Sequence, residues 1–270
     1  MKQGTLLLNL TFSFLGGLLL LFIILPLVST LLGTTPEQLW LALTDPEVLR
    51  SMGLTFGAAA AATILSLLTG VPLAYLLARN RFRGKRLVEA LVNLPIVIPH
   101  TAAGVALLLV FGRRGLLGQW LTPLGVTFTD SFAGIVVGMG FVSLPFLVTM
   151  SREAFALIDD ELERVALIDG ASAWQAFRHV TLPLAWRGVL GGALMMWARG
   201  ISEFGAVVIL AYHPKIVPVL VYERFNGFGL DAAQPIAALL IIIAIGVFIF
   251  LRLSLLPERE AASSVQRRSP

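Results

Sequence analysis

The sequence predicts an all-α polytopic membrane protein with about six transmembrane helices. Hydrophobic residues make up 57% of the chain and charged residues only 13%, whereas a soluble domain carries about 25% charged residues. The mean hydropathy is +0.87. The charges also cluster, falling in short islands between apolar runs at about 5–32, 53–78, 87–111, 132–150, 187–211 and 233–254. Each run is long enough for a helix to cross a hydrocarbon layer of about 30 Å. Backbone in lipid must satisfy its own hydrogen bonds, so the spans are helices or a closed barrel. None of the runs alternates with period 2, which argues against a barrel.

The first run, Thr5 to Leu32, holds 28 residues without a charge. A secretion signal has an apolar core of about 7–15 residues, so this run reads as a retained helix. At ~1.5 Å per residue it reaches about 42 Å, so it tilts or protrudes.

Basic residues orient the spans, because cytoplasmic loops are enriched in Lys and Arg. With the N-terminus inside, the inner segments hold Lys2; Arg79, Arg81, Arg83, Lys85 and Arg86; Arg152, Arg164, Arg178 and Arg187; and Arg252, Arg259, Arg267 and Arg268. The outer segments hold Arg50, Arg113, Arg114, Lys215 and Arg224. Fourteen against five places both termini in the cytoplasm. The same asymmetry explains the isoelectric point near 10.0 without nucleic acid as a partner. There is no cysteine, hence no disulfide and no thiolate metal site.

The longest inner loop, about 151–186, has internal order. Asp160 followed by Glu163 has the form of a capping box. Leu162, Val165, Ala166 and Ile168 follow at helical spacing, and Gly170 can end that helix. Ser172 can cap a second helix carrying Trp174, Phe177 and Val180, with Pro183 expected to stop it. The result is an amphipathic hairpin on the cytoplasmic side. It lies either on the membrane surface or against a cytoplasmic partner, with Trp174 and Phe177 as groove anchors. The segment from Glu258 to Pro270 is polar and reads as a disordered tail.

Catalytic chemistry is scarce. Gly84-Lys85 is followed by Arg86 and lacks the upstream glycine of a phosphate-binding loop. His100, His179 and His213 sit in three different segments, and no nucleophile motif is present. An enzyme is not expected, and any ATP would be bound by another chain. Ionisable groups inside spans are costly and so informative. Arg199 and Glu203 lie four apart on the fifth run, with Ser202 between them, and His100 lies at similar depth on the third. They form either a structural pair with a separately bonded histidine or the lining of a charged solute's path. Pro95 and Pro99 should kink the third span. Gly134 with Gly138, and Gly188 with Gly192, have the spacing of close helix contacts.

Two stretches resemble a known family. Glu163-Arg-Val-Ala166-Leu-Ile-Asp-Gly170, nine residues, then Val180-Thr-Leu182-Pro183 resembles the EAA loop of ABC importer membrane subunits. Ala166, Gly170, Leu182 and Pro183 match in register. Val180 replaces Ile, Arg164 and Val165 occupy the first two positions, and Glu163 stands one residue early. The resemblance implies that Glu163, Ala166, Gly170, Ala171, Ser172, Trp174, Phe177, Leu182 and Pro183 couple the chain to an ATPase. The second stretch, Trp197-Ala-Arg199-Gly-Ile-Ser-Glu203-Phe-Gly205-Ala, is similar to the A-R-x-x-x-E-F-G element of sulfate and molybdate-type permeases. Leu94 to His100, and Val207 through Tyr212 to Arg224, are most similar to molybdate/tungstate permeases.

Over about residues 45–252 the likeness implies a type I ABC importer permease fold with residues 51–252 as the transmembrane domain. Residues 1–50 would hold the first helix and outer loop, and 253–270 a cytoplasmic tail. It further implies a homodimer in the cytoplasmic membrane, an ATP-binding cassette dimer carrying ATP and Mg, and an external oxyanion-binding protein. Molybdate or tungstate is the expected cargo. Sulfate on the same architecture, or transport without an ATPase, are the alternatives.

Overall fold

The computed structural model describes residues 2–255; most of the expected tail lies outside them. Among the described residues every regular element is helical. The helices are α1 (Lys2–Leu32), α2 (Pro36–Thr44), α3 (Pro46–Arg79), α4 (Lys85–Val97), α5 (His100–Phe111), α6 (Gly118–Leu121), α7 (Phe132–Ala156), α8 (Asp160–Ile168), α9 (Ala173–Ala176), α10 (Leu182–Ile201), α11 (Gly205–Leu210), α12 (Val217–Phe228) and α13 (Leu230–Leu255).

Four uninterrupted helices, α1, α3, α7 and α13, are long and apolar enough to cross a membrane, and α4 with α5 would make a fifth span if counted together. The third span, expected to be kinked at its prolines, is broken outright. Its two halves are bent by 113° at a short break. Pro99 is the cause: it begins α5 and forces Ile98 into extended backbone, φ −74° and ψ 135°. Pro95, expected to kink the span, sits buried inside α4, which continues to Val97. The fifth run also differs from expectation. Its helix starts earlier, at Leu182, and stops at Ile201, and a separate six-residue helix, α11, follows. Among the described residues, the short α6 and two longer helices outside the apolar runs were not foreseen. The longer two are α2, closed by a Thr35–Gln38 capping box, and α12.

The centre is built by α3, α7 and α10. Ala58, Ala59 and Ala62 of α3, Ile135, Met139 and Leu147 of α7, and Val189 and Met196 of α10 are all buried there. Lipid is as apolar as these side chains, so helices in a membrane associate through close van der Waals fit rather than escape from water. Small residues supply that fit. Gly192 lies against Leu147 and Met150, Gly200 against Ala59, and Gly138 against Val207. Gly188 faces Ala154 so closely that a methyl group at 188 would collide with the alanine side chain. The expected glycine spacings are thus contact surfaces.

A charge cluster ties α12 to the start of α3. Lys215 lies 3.0 Å from Glu47 and 2.6 Å from Glu223, and Arg224 lies 2.8 Å from Glu47. The Glu223 carboxyl is held below its ordinary range by the Lys215 ammonium, whose own proton is held more firmly in return. The first helix is different. Leu6–Leu32 has none of its most apolar stretch buried, and it meets the bundle near its C-terminal end, where Gln234 donates to the Thr30 carbonyl at 3.2 Å.

The Gly188 contact can be tested by exchange. Gly188→Ala should cost about 1–3 kcal/mol by overpacking, and adding Ala154→Gly should restore at least half of the loss. Thermal unfolding of the detergent-solubilised chain measures both. A neutral single substitution would show that α7 and α10 do not meet there.

Candidate functional site

The two interrupted helices cross each other. α5 packs along α11 through glycines on both sides. A side chain at Gly104 would strike Ile209 at 2.8 Å and the Ala206 carbonyl at 2.9 Å, and one at Gly205 would strike His100 at 2.7 Å. The crossing therefore brings the N-terminus of α5 against the break between α10 and α11, and the ionisable residues expected to meet do meet there.

Glu203 is the centre of this junction and has no exposed surface. It stands in the break rather than on the same helix as Arg199, as the sequence reading had it. One carboxylate oxygen accepts the Ala206 amide at 2.8 Å, which caps α11. The other accepts from Arg199 Nη2 at 3.0 Å and lies 3.1 Å from His100 Nδ1. Arg199 Nη2 is also 2.9 Å from both ring nitrogens of His100, and Nη1 donates to the Ser202 hydroxyl at 3.2 Å. The set is satisfied if His100 donates from Nδ1 to Glu203 and accepts from Arg199 at Nε2.

The junction is buried on one side only. The His100 side chain is 38% exposed and that of Arg199 22%, and Ser202 is exposed. An approaching anion would meet a guanidinium edge, a hydroxyl and an imidazole. It would also meet the start of α5, whose first amides have no side-chain cap and carry partial positive charge. Glu203 neutralises part of that charge, so the surface offers donors without a deep electrostatic trap. Two apolar cavities flank the junction without sharing this chemistry. One of about 590 Å³ between α1, α12 and α13 is reached by Phe204, and one of about 380 Å³ is reached by Trp197 and Ser202. Neither has a charged lining residue, so neither suits a desolvated dianion.

The expected hairpin forms with several changes. Its first helix, α8, is capped by Asp159, one residue before the expected Asp160. The Asp160 carboxylate is engaged by Arg79 instead. Gly170 ends α8 in left-handed backbone, φ 92°. The Ala171 amide then bonds the Ala166 carbonyl at 3.0 Å and the Gly170 amide bonds that of Leu167 at 3.1 Å, a complete Schellman closure. No atom lies within 4 Å of where a Gly170 side chain would start, so backbone strain alone sets the demand for glycine. Ser172 and Gln175 cap each other as a capping box.

Pro183 does not stop the second helix. A π turn over Phe177–Thr181 carries the chain from α9 into α10, where Pro183 takes a first-turn position with Leu182. The wider turn passes a residue that lacks an amide proton. Of the two expected anchors, only Trp174 stands out, 65% exposed. Phe177 turns inward, its ring 4.8 Å from Tyr75 and 6.1 Å from Phe155. Exposed apolar side chains appear instead on α8, at Leu162, Val165, Leu167 and Ile168.

Glu163 also turns inward, to Tyr75, Arg79 and Thr181. The sequence reading missed these partners, although Tyr75 and Arg79 stand four apart at the end of an apolar run. It also missed the α4–α7 pairs, Glu89 with Arg152 at 3.0 Å and Asn93 with Thr149 at 3.2 Å. Their signal was polar residues at helical spacing on both runs.

Comparison with known proteins follows the same lines. A family model described as the inner membrane component of binding-protein-dependent transport systems matches residues 70–259. The molybdate/tungstate transport system permease protein WtpB of Thermococcus kodakarensis is 42% identical over 243 residues, covering 89% of this chain and 93% of that protein. The protein of the same name from Pyrococcus furiosus is 44% identical over 243 residues, covering 89% and 92%. The sulfate transport system permease protein CysT of Synechocystis sp. is 31% identical over 242 residues, covering 87% and 85%. Among solved structures, a bacterial ABC transporter that imports the acidic polysaccharide alginate aligns with a TM-score of 0.72 at 16% identity, covering 92% of this chain and 96% of that one. The inward-facing MetNI methionine ABC transporter aligns with a TM-score of 0.61 at 18% identity, covering 82% and 95%. The ABC importer permease fold expected from the two motifs is the fold found.

Glu203→Ala should destabilise the chain by about 3–5 kcal/mol, because it leaves a partly buried guanidinium uncompensated. Glu203→Gln keeps an acceptor for the Ala206 amide and should cost roughly half as much. Unfolding midpoints in detergent report both, and an unchanged Glu203→Ala midpoint would mean the crossing is held by other contacts.

Proposed function

We propose that this chain, which belongs to the family of inner membrane components of binding-protein-dependent transport systems, is the permease subunit of an ATP-driven importer for a tetrahedral oxyanion. Molybdate or tungstate is the preferred cargo. The observation that carries the anion is the half-open junction of Arg199, His100 and Ser202, with Glu203 buried behind it. The relatives support the choice of cargo, since permeases named for molybdate and tungstate are 40–44% identical to this chain and those named for sulfate 31–32%. The chain is a transport subunit and not an enzyme; ATP and Mg belong to a separate cassette dimer.

The working unit is a homodimer that opens alternately to each side. Two copies supply each junction twice around one axis. Arg199 and the start of α5 lower the barrier to a dianion crossing the low-dielectric interior, and Glu203 orients Arg199. A weak, transient contact suffices, because tight binding would slow release. Selection between oxyanions falls mainly to an external binding protein. On the inner face, the hairpin of α8 and α9 docks on the ATPase through the apolar side chains of α8 and through Trp174. Residues 51–252 form the transmembrane domain. The six-span topology with both termini inside is part of this reading, with α10 as the further span. Its 20 residues reach about 30 Å.

Two experiments test it. In liposomes carrying the full complex, Arg199→Ala should lower molybdate uptake about tenfold or more, the loss of one charge-assisted contact of about 1.5–3 kcal/mol. Arg199→Lys should fall between. Wild-type uptake in Arg199→Ala would remove the pathway role. Sulfate outcompeting molybdate would reverse the cargo. The absence of cysteine allows a clean topology test. Arg83→Cys should react with an impermeant thiol reagent only from the cytoplasmic side and Arg50→Cys only from outside. The opposite pattern would invert the orientation.

A further inference from the structure

Arg79 is the last residue of α3, and its side chain is only 9% exposed. Every side-chain bond it makes among the described residues leaves its own helix. Nη1 donates to the Ile158 carbonyl at 2.8 Å and to the Asp160 carboxylate, and Nε donates to Glu163 Oε1 at 3.0 Å. Glu163 extends the tie. Its Oε2 accepts the Tyr75 hydroxyl at 2.9 Å, and Oε1 also accepts the Thr181 hydroxyl. Tyr75 stands one turn before Arg79 on the same face of α3. Thr181, with no exposed surface, lies in the π turn at the root of α10. One carboxylate on α8 therefore binds α3 and the start of α10 together.

The covalent links would not do this. Three residues join α7 to α8, and the turn at Gly170 joins α8 to α9. Held by those alone, α8 could tilt while α3 stayed in place. Charge-assisted bonds from a planar guanidinium that is itself only 9% exposed resist such a tilt in more than one direction. The Tyr75 ring, edge-on to Phe155 at 5.6 Å and to Phe177 at 4.8 Å, fills the space behind them.

We propose that Arg79 is a positioning residue for transport. With Tyr75 and Thr181, and through Glu163, it makes the α8–α9 hairpin move as one body with α3 and α10. A displacement imposed on α8 then reaches the far end of α10, where Arg199 sits. This rests on the reading of the hairpin as the docking element for an ATPase.

The test is the number of ATP molecules hydrolysed per molybdate taken up by the reconstituted complex. Arg79→Gln should copurify with the ATPase, keep its basal hydrolysis rate, and raise that ratio about tenfold. Arg79→Lys should recover part of the coupling, and Tyr75→Phe with Thr181→Val should raise the ratio about threefold. A role in folding alone would lower the yield of complex but leave the ratio unchanged in what assembles. An unchanged ratio in Arg79→Gln overturns the proposal. Where Arg79→Gln does not assemble, the hydroxyl double variant decides, since it keeps the ion pair, and an unchanged ratio there overturns it equally. Failure of the docking reading is distinct: the wild-type chain would then transport without the ATPase, or crosslink to it away from α8.

Discussion

A carboxylate with no exposed surface must be neutralised where it stands, and the Glu203 site is arranged around that requirement. Its charge is met by Arg199, and its remaining oxygen by the first free amide of α11. The second contact needs a break in the helix: α11 must start afresh for its amide to be available, whereas a residue four after Arg199 could reach it from an unbroken helix as well. Irregular backbone at membrane depth is tolerated where it is covered by protein or lines a polar path. α5 provides the cover, and Gly104 and Gly205 let it come close enough. The crossing is thus a single solution to a charge problem and a backbone problem.

The same economy appears at the α8–α9 hairpin. Glu163 resembles a residue that would reach toward a partner, yet its carboxylate is only 15% exposed and its bonds all turn into the chain. What α8 leaves outside is apolar. The helix separates two sets of atoms: polar ones fix its attitude to the membrane helices, and aliphatic ones remain exposed.

Much of this was readable in the residues. Apolar runs name membrane helices because lipid offers no alternative backbone partner, and the hairpin's glycine and serine cap were both in place, while its expected stripe was not. What escaped was decided by tertiary contacts. Asp159 and Asp160 can each cap a helix, and Arg79 takes one of them, leaving the other to serve. Pro99 signals a kink but not its size, since a bend of 113° needs α11 to lie across the turned segment. Pro183 reads as a stop until a π turn lets the chain pass it. Glu203 looks like an i+4 partner of Arg199, which it is, though through a reach across a break. His100 does reach the depth of Arg199 and Glu203, though at the start of a turned helix rather than along a continuous one.

The bent third segment also bears on how the chain is made. α4 and α5 have 13 and 12 residues, each short of the roughly 20 needed to cross a bilayer alone. A ribosome delivers them as one apolar stretch, and it delivers Arg199 and Glu203 about a hundred residues later. Until then His100 has neither partner and α5 has no α11 to lie on. His100 therefore gains its partners late in synthesis, after the backbone at Pro99 has already set the break between α4 and α5.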